Sequence, residues 1–139
     1  METSGLARPI RGRNGIDLTW SRVLLAALFA VAGAMHFVTP GDYTAIVPHW
    51  LPQAPLLVSI SGVFEILGGL GVLLPLTRRL AGWGLIALLL AVFPANVQML
   101  QLGYANHASA LWKTALWLRL PLQLLLLWWA WRAAARPSR

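Results

Sequence analysis

The chain has 139 residues, of which 58% are hydrophobic and only 11% are charged, and it contains no cysteine. A soluble domain of this size cannot bury so many apolar side chains, so the composition indicates a membrane protein. The lack of cysteine excludes thiol redox chemistry and cysteine-ligated metals from the chain itself. The net charge of +7 does not indicate nucleic-acid binding, because the basic residues flank apolar runs, where they set topology and contact anionic lipid.

Four apolar runs are each long enough to cross a bilayer as a helix. They cover residues 20–38, 56–74, 80–100 and 112–131. The first is too long for the core of a signal peptide and does not end in a small-residue cleavage site, so we interpret it as a retained span. The fold class expected is therefore an all-α membrane protein, a bundle of four transmembrane helices.

The domain boundaries follow from the same pattern. Residues 16–132 form the four-helix domain, preceded by a mobile basic tail at 1–15 and followed by a second basic tail at 133–139. Residues 1–15 are polar, basic and glycine-containing, and they show no helical or strand periodicity.

The basic residues predict the topology. With four spans, nine arginines fall on one side of the bilayer and only Lys113 falls on the other. The nine are Arg8, Arg11, Arg13, Arg22, Arg78, Arg79, Arg132, Arg136 and Arg139. Both termini are therefore expected in the cytoplasm, with Arg119 inside the fourth span.

The connection between the first two spans, residues 39–55, contains four prolines, so it cannot form a long helix. Tyr43 and Trp50 within it are residue types that favour the membrane interface. We interpret this connection as an interfacial lid that lies on the outer surface of the bilayer.

Glu65 is the one charge in the second span, and an acid near the centre of a bilayer is costly unless it faces protein or water. Ser61, Gly62, Gly68 and Gly69 share its helical face, which is small and polar and suits close packing. The opposite row, made of Val63, Leu67, Leu70 and Leu74, is aliphatic and suits lipid. Glu65 should therefore point into the bundle.

Arg119 lies at a similar depth and is the expected partner of Glu65. Gln123, Asn96 and His36 fall in the same half of the bilayer by the helical rise, and Ser61 lies one turn from the acid. These six residues predict a polar cavity that opens toward the outer side, under the lid. A buried ion pair that only fixes helix register remains an equal alternative. Metal binding is not expected, because the three histidines are scattered without ligand spacing.

Several segments resemble the DoxX family of bacterial inner-membrane proteins. They are GAMHF at 33–37 with Pro40 and Tyr43, IVP at 46–48, LP at 51–52, SGVFE at 61–65 with Gly68 and Gly69, LP at 74–75 with Arg78, and FPAN at 93–96. The resemblance spans about 24–131. It implies a four-helix, multi-pass protein of the bacterial inner membrane, in a superfamily linked to quinone redox complexes and detoxification.

Together these observations lead to a functional expectation. The chain is expected to be a non-catalytic or quinone- or small-aromatic-binding component of a membrane redox or detoxification system. It has no haem, flavin or iron–sulfur motif, so electrons would come from a redox enzyme partner, and the chain could also pair with a second copy. The alternatives are a small proton-linked permease for an organic molecule and a purely structural assembly factor. An enzyme using Glu65 as a general acid or base is least favoured, because nothing specifies a substrate.

Overall fold

The computed structural model describes residues 19–135, and these form helices and short turns with no strand among them. The helices are α1 Trp20–Val38, α2 Pro40–Ala45, α3 Ala54–Leu73, α4 Arg78–Ala105 and α5 Ala110–Ala130, with α5 continuing into a π-helical turn, Trp131–Ala135. Four of them, α1, α3, α4 and α5 with its π-turn, are long and apolar enough to cross a membrane. The chain is therefore a multi-pass membrane protein.

α1 matches its apolar run, whereas α3, α4 and α5 each begin two residues before theirs, and α4 continues five residues past the end of its run. α3 begins before its run because Pro55 lies in its first turn, where a missing N–H costs nothing. Both α4 and α5 run through an internal proline, Pro94 and Pro121, without ending. Neighbouring helices in a membrane protein satisfy the backbone groups that such prolines free, so proline does not end a transmembrane helix as it ends a soluble one.

The C-terminal boundary differs from the expectation. The sequence pattern places a tail at 133–139, but residues 133–135 continue the helix, and Ala134 and Ala135 are buried. Gly82 of α4 allows this packing, because a Cβ there would lie 2.6 Å from the Ala135 nitrogen. The tail at 1–15 and residues 136–139 lie outside the described residues.

Four crossings bring the two ends of the described chain to the same face of the bundle. Arg22 Nε donates to the carbonyl oxygen of Ala133 at 2.8 Å, and Trp129 Nε1 donates to Ser21 Oγ at 2.9 Å. Which side of the membrane this face occupies stays a prediction.

α1 and α3 cross closely because small residues meet at their contact. A Cβ on Gly33 would lie 2.6 Å from the Gly62 carbonyl oxygen, and one on Gly69 would lie 2.8 Å from the Ala26 carbonyl oxygen. Backbones can approach this closely only where side chains are absent or very small. The small-residue face predicted on α3 is thus confirmed, and so is the exposure of the aliphatic row that starts at Val63.

The apolar core fills the half of the bundle nearer the chain ends. It consists of Leu25, Phe29, Val72, Leu85, Leu89, Ala130 and Ala134. α5 packs along α4, and α1 meets the C-terminal segment near the π-turn. The other half of the bundle, under the connection between α1 and α3, is left open as a cavity.

Candidate binding site

The open half of the bundle encloses a cavity of about 860 Å³, bounded by α1, α3, α4, α5 and the connection after α1. Its walls are mainly aliphatic. The six polar residues singled out from the sequence all line it: His36, Ser61, Glu65, Asn96, Arg119 and Gln123. Tyr43 also lines it, but Trp50 does not, being 71% exposed on the outer surface. Of the two lid residues, only Tyr43 reaches the site.

Glu65 lies beside His36. Glu65 Oε2 is 3.5 Å from His36 Nδ1, and both residues are buried. The same Nδ1 is only 3.0 Å from the carbonyl oxygen of Ala32. A carbonyl oxygen can only accept, so we infer that Nδ1 carries its hydrogen and directs it there. No described residue makes a hydrogen bond to Glu65 Oε2, although that atom is inaccessible to solvent.

The prediction of an ion pair between Glu65 and Arg119 is wrong. In the described part of the chain the Arg119 guanidinium donates from Nη1 to Met99 Sδ at 3.2 Å, and no ion pair joins it to the acid. The reason is the order of the helices. α3 packs on α1 and α4, whereas α5 packs on α4, so the two charges lie on different walls of the cavity.

Tyr43 forms the roof over the acid. Its ring stacks on the imidazole of His36, with the ring centroids 3.9 Å apart and the planes inclined by 27°. The pKa of the Tyr43 phenol is raised above its ordinary value, chiefly because burial disfavours the phenolate and next because Glu65 is near, while Arg119 acts in the opposite direction. The phenol therefore stays protonated and can donate a hydrogen bond near neutral pH.

Apolar residues of the connection complete the roof, and the sequence reasoning missed them. Ile46, Val47, Pro48 and Leu51 all line the cavity. The sequence does contain an indication of this role. A proline-rich connection that is fully exposed to water rarely contains so many large apolar side chains in succession. Such a composition indicates a segment folded back onto an apolar surface.

A second polar group braces α4 against α5. Asn96 Nδ2 donates to Gln123 Oε1 at 2.8 Å, and Gln123 Nε2 donates to the carbonyl oxygen of Leu89. Leu89 and Asn96 lie on either side of Pro94 in α4. The side-chain amide of Gln123 therefore bridges the part of α4 that the proline weakens. The side chains of Asn96 and Gln123 are thus hydrogen-bonded to protein, which favours a structural role for both.

Replacing Gln123 with leucine should lower the free energy of unfolding by about 0.5–2 kcal/mol, the range for interhelical hydrogen bonds in membranes. Gln123 is only 3% exposed, so the change also leaves the Asn96 amide without its partner. Gln101→Leu is the control, since Gln101 lies exposed on α4 outside the cavity. Reversible unfolding in bilayers or mixed micelles measures the difference. Equal stability of the two variants would contradict the bracing role.

The described residues contain no group of three or more histidine, aspartate or glutamate side chains placed to hold a metal ion. What the cavity offers instead is an acceptor at Glu65, donors at Arg119 and Tyr43, and a large apolar wall. This arrangement suits an organic ligand with a few polar atoms.

The fold and the cavity define the class: a four-helix, multi-pass membrane protein with an apolar cavity that holds one buried acid. The chain belongs to the family described as Domain of unknown function (DUF8561), whose model matches residues 25–134. No curated protein and no solved structure matches the chain.

Proposed function

We propose that this protein is a binding component of a membrane redox or detoxification system and that its cavity holds a quinone or a related small aromatic molecule. The observation that carries the proposal is Glu65, a buried acid that lines the polar end of an apolar cavity and forms no ion pair with Arg119. A ligand that hydrogen-bonds to this carboxyl from the cavity stabilises the complex by about 0.5–1.5 kcal/mol or more.

The distribution of polar groups supports a ring with oxygens on opposite sides. Glu65 and His36 lie on the α1–α3 wall, while Arg119 lies on α5 across the cavity. Between them the walls are aliphatic, with Tyr43 and Phe29 as the aromatic members. A flat ring fits such a space, with its oxygens hydrogen-bonded at each edge.

Passive binding is favoured over transport. A proton-linked permease needs a path to the opposite face, and the half of the bundle nearer the chain ends is filled by Leu25, Val72 and Leu85, which are fully buried. The resemblance to the DoxX family is consistent with binding a redox molecule in the bacterial inner membrane, with both termini in the cytoplasm. Electrons would pass through a partner enzyme.

The test is binding of a tail-free ring pair, methylhydroquinone and methyl-1,4-benzoquinone, to purified protein in lipid nanodiscs. We expect at least one of them to bind, and Glu65→Gln to weaken the preferred form about tenfold, as the loss of one well-formed hydrogen bond would. Calorimetry or ligand-induced thermal shift provides the measurement. Ser59→Ala is the control, because Ser59 is on α3 but does not line the cavity.

If neither ring binds, the proposed function is wrong. It is also wrong if Glu65→Gln and Ser59→Ala bind the rings as the unchanged protein does.

A further inference from the structure

The cavity has a side opening between α1 and α5. The two helices are joined near the chain ends, through Arg22 with Ala133 and Ser21 with Trp129. Farther along, α1 packs on α3 and α5 packs on α4, and Leu28 of α1 and Leu122 of α5 line the cavity while being 43% and 51% exposed. The cavity therefore opens between these two helices, and an opening between membrane-spanning helices faces lipid.

The cavity is also much larger than one ring requires. An apolar cavity of about 150 Å³ is enough to hold benzene, whereas this one measures about 860 Å³. The lining beyond the polar end is aliphatic and includes Leu28, Leu122 and Leu126. Space of this kind suits a hydrocarbon chain and offers nothing to a second polar group.

The polar residues at one end of the cavity indicate which chemical group of the ligand binds there. Glu65 lines this end of the cavity, and Nδ1 of His36 directs its hydrogen to the Ala32 carbonyl oxygen rather than to the acid. The Glu65 carboxyl is therefore left as an acceptor for the ligand, and an acceptor binds a hydroxyl group better than a carbonyl oxygen.

We propose that the ligand is an amphiphile, with a hydroxyl-bearing ring at Glu65 and a hydrocarbon tail that leaves between Leu28 and Leu122, and that it enters sideways from the bilayer. This inference rests on the proposed function and adds the tail, the route and the hydroxyl. It makes the protein a receptor for a membrane-dissolved molecule rather than for a water-soluble one.

The experiment compares methylhydroquinone with decylhydroquinone in nanodiscs under reducing conditions, with affinities expressed per mole of lipid to remove the effect of partitioning. We expect the unchanged protein to bind both. Leu122→Trp, which narrows the gap, should weaken decylhydroquinone about tenfold or more and change methylhydroquinone less than about twofold, because only the tail meets the indole. Oxidised decylbenzoquinone, which has no hydroxyl, should bind about tenfold more weakly than its reduced form.

Leu125→Trp is the matched control: Leu125 is on the same helix and is 55% exposed, against 51% for Leu122, but it does not line the cavity. It should bind both hydroquinones normally. A decylhydroquinone carrying a diazirine at the end of its tail gives a second readout, and we expect its crosslinks on lipid or on the rim of the gap.

Three results would overturn this inference while leaving the proposed function standing, provided that methylhydroquinone binds. The first is that decylhydroquinone does not bind. The second is that Leu122→Trp changes the affinity for both hydroquinones by the same factor. The third is that the tail crosslinks only to the core around Phe29 and Leu89. If no ring binds, the proposed function fails and this inference fails with it.

Discussion

Replacing Glu65 with methionine should raise the free energy of unfolding of the ligand-free protein by about 1–3 kcal/mol, the usual cost of a buried polar group without a partner. Glu65 is only 8% exposed, and its Oε2 has no hydrogen bond among the described residues. Methionine has a similar length and can follow the same path along the cavity wall. Unfolding by denaturant in mixed micelles, or steric trapping in bilayers, measures the change.

Ser61→Ala is the control for this experiment. Ser61 is one turn from Glu65 on the same face, but its hydroxyl already donates to the Val58 carbonyl oxygen at 2.9 Å. Its loss should therefore change stability by no more than about 0.5 kcal/mol. If Glu65 were held in a structural pair with His36, Glu65→Met would instead be destabilising by several kcal/mol, since breaking a buried pair strands the other member.

The same substitution should abolish the binding of the hydroquinones. A gain of stability together with a loss of binding is the pattern of a residue kept for function, because such residues are often unfavourable for the folded state alone. A destabilised Glu65→Met that still binds would identify the acid as a structural element of the α1–α3 contact.

Replacing Gly33 with leucine should separate α1 from α3 and lower the free energy of unfolding by about 3 kcal/mol, the upper part of the range for overpacking. A Cβ at this position already meets the Gly62 carbonyl oxygen at 2.6 Å and the Glu65 Cβ at 3.0 Å. Backbone cannot move aside as the end of a flexible side chain can. The variant should also lose ligand binding, since the shift displaces His36 from Glu65.

Gly84→Leu is the matched control on α4, where a Cβ would meet nothing within 4 Å. Its effect should be neutral or a gain of about 0.5–1 kcal/mol, because leucine favours a helix more than glycine does. Thermal unfolding in nanodiscs compares the two variants. Similar melting behaviour would mean that the α1–α3 crossing can spread at little cost.

Much of the architecture could be predicted from residue patterns alone. Hydropathy along the chain determines where the spans lie, because a helix in lipid must satisfy its own backbone and present apolar side chains over a known length. The small-residue face of α3 can also be predicted from the sequence, because Gly62, Glu65 and Gly69 recur at helical spacing. The prediction that Glu65 points inward follows from the same periodicity and agrees with its burial.

What faces Glu65 was decided by the tertiary structure. Periodicity along one helix says which residues share a face, but not which helix lies opposite. Depth alone made Arg119 the natural partner, yet α5 packs on α4 and the cavity separates the two charges. His36 comes close instead because Gly33 and Gly62 let α1 approach α3.

At both ends of the bundle, some features follow from the sequence and others only from tertiary packing. By itself the sequence determined the four spans, the inward acid and a lid between the first two helices. Only packing decided that Tyr43 stacks on His36, that the lid's apolar residues line the cavity, and that Ala134 and Ala135 continue the last helix. Hydropathy measures the affinity of each segment for lipid, whereas these contacts depend on the fit between surfaces far apart in the chain.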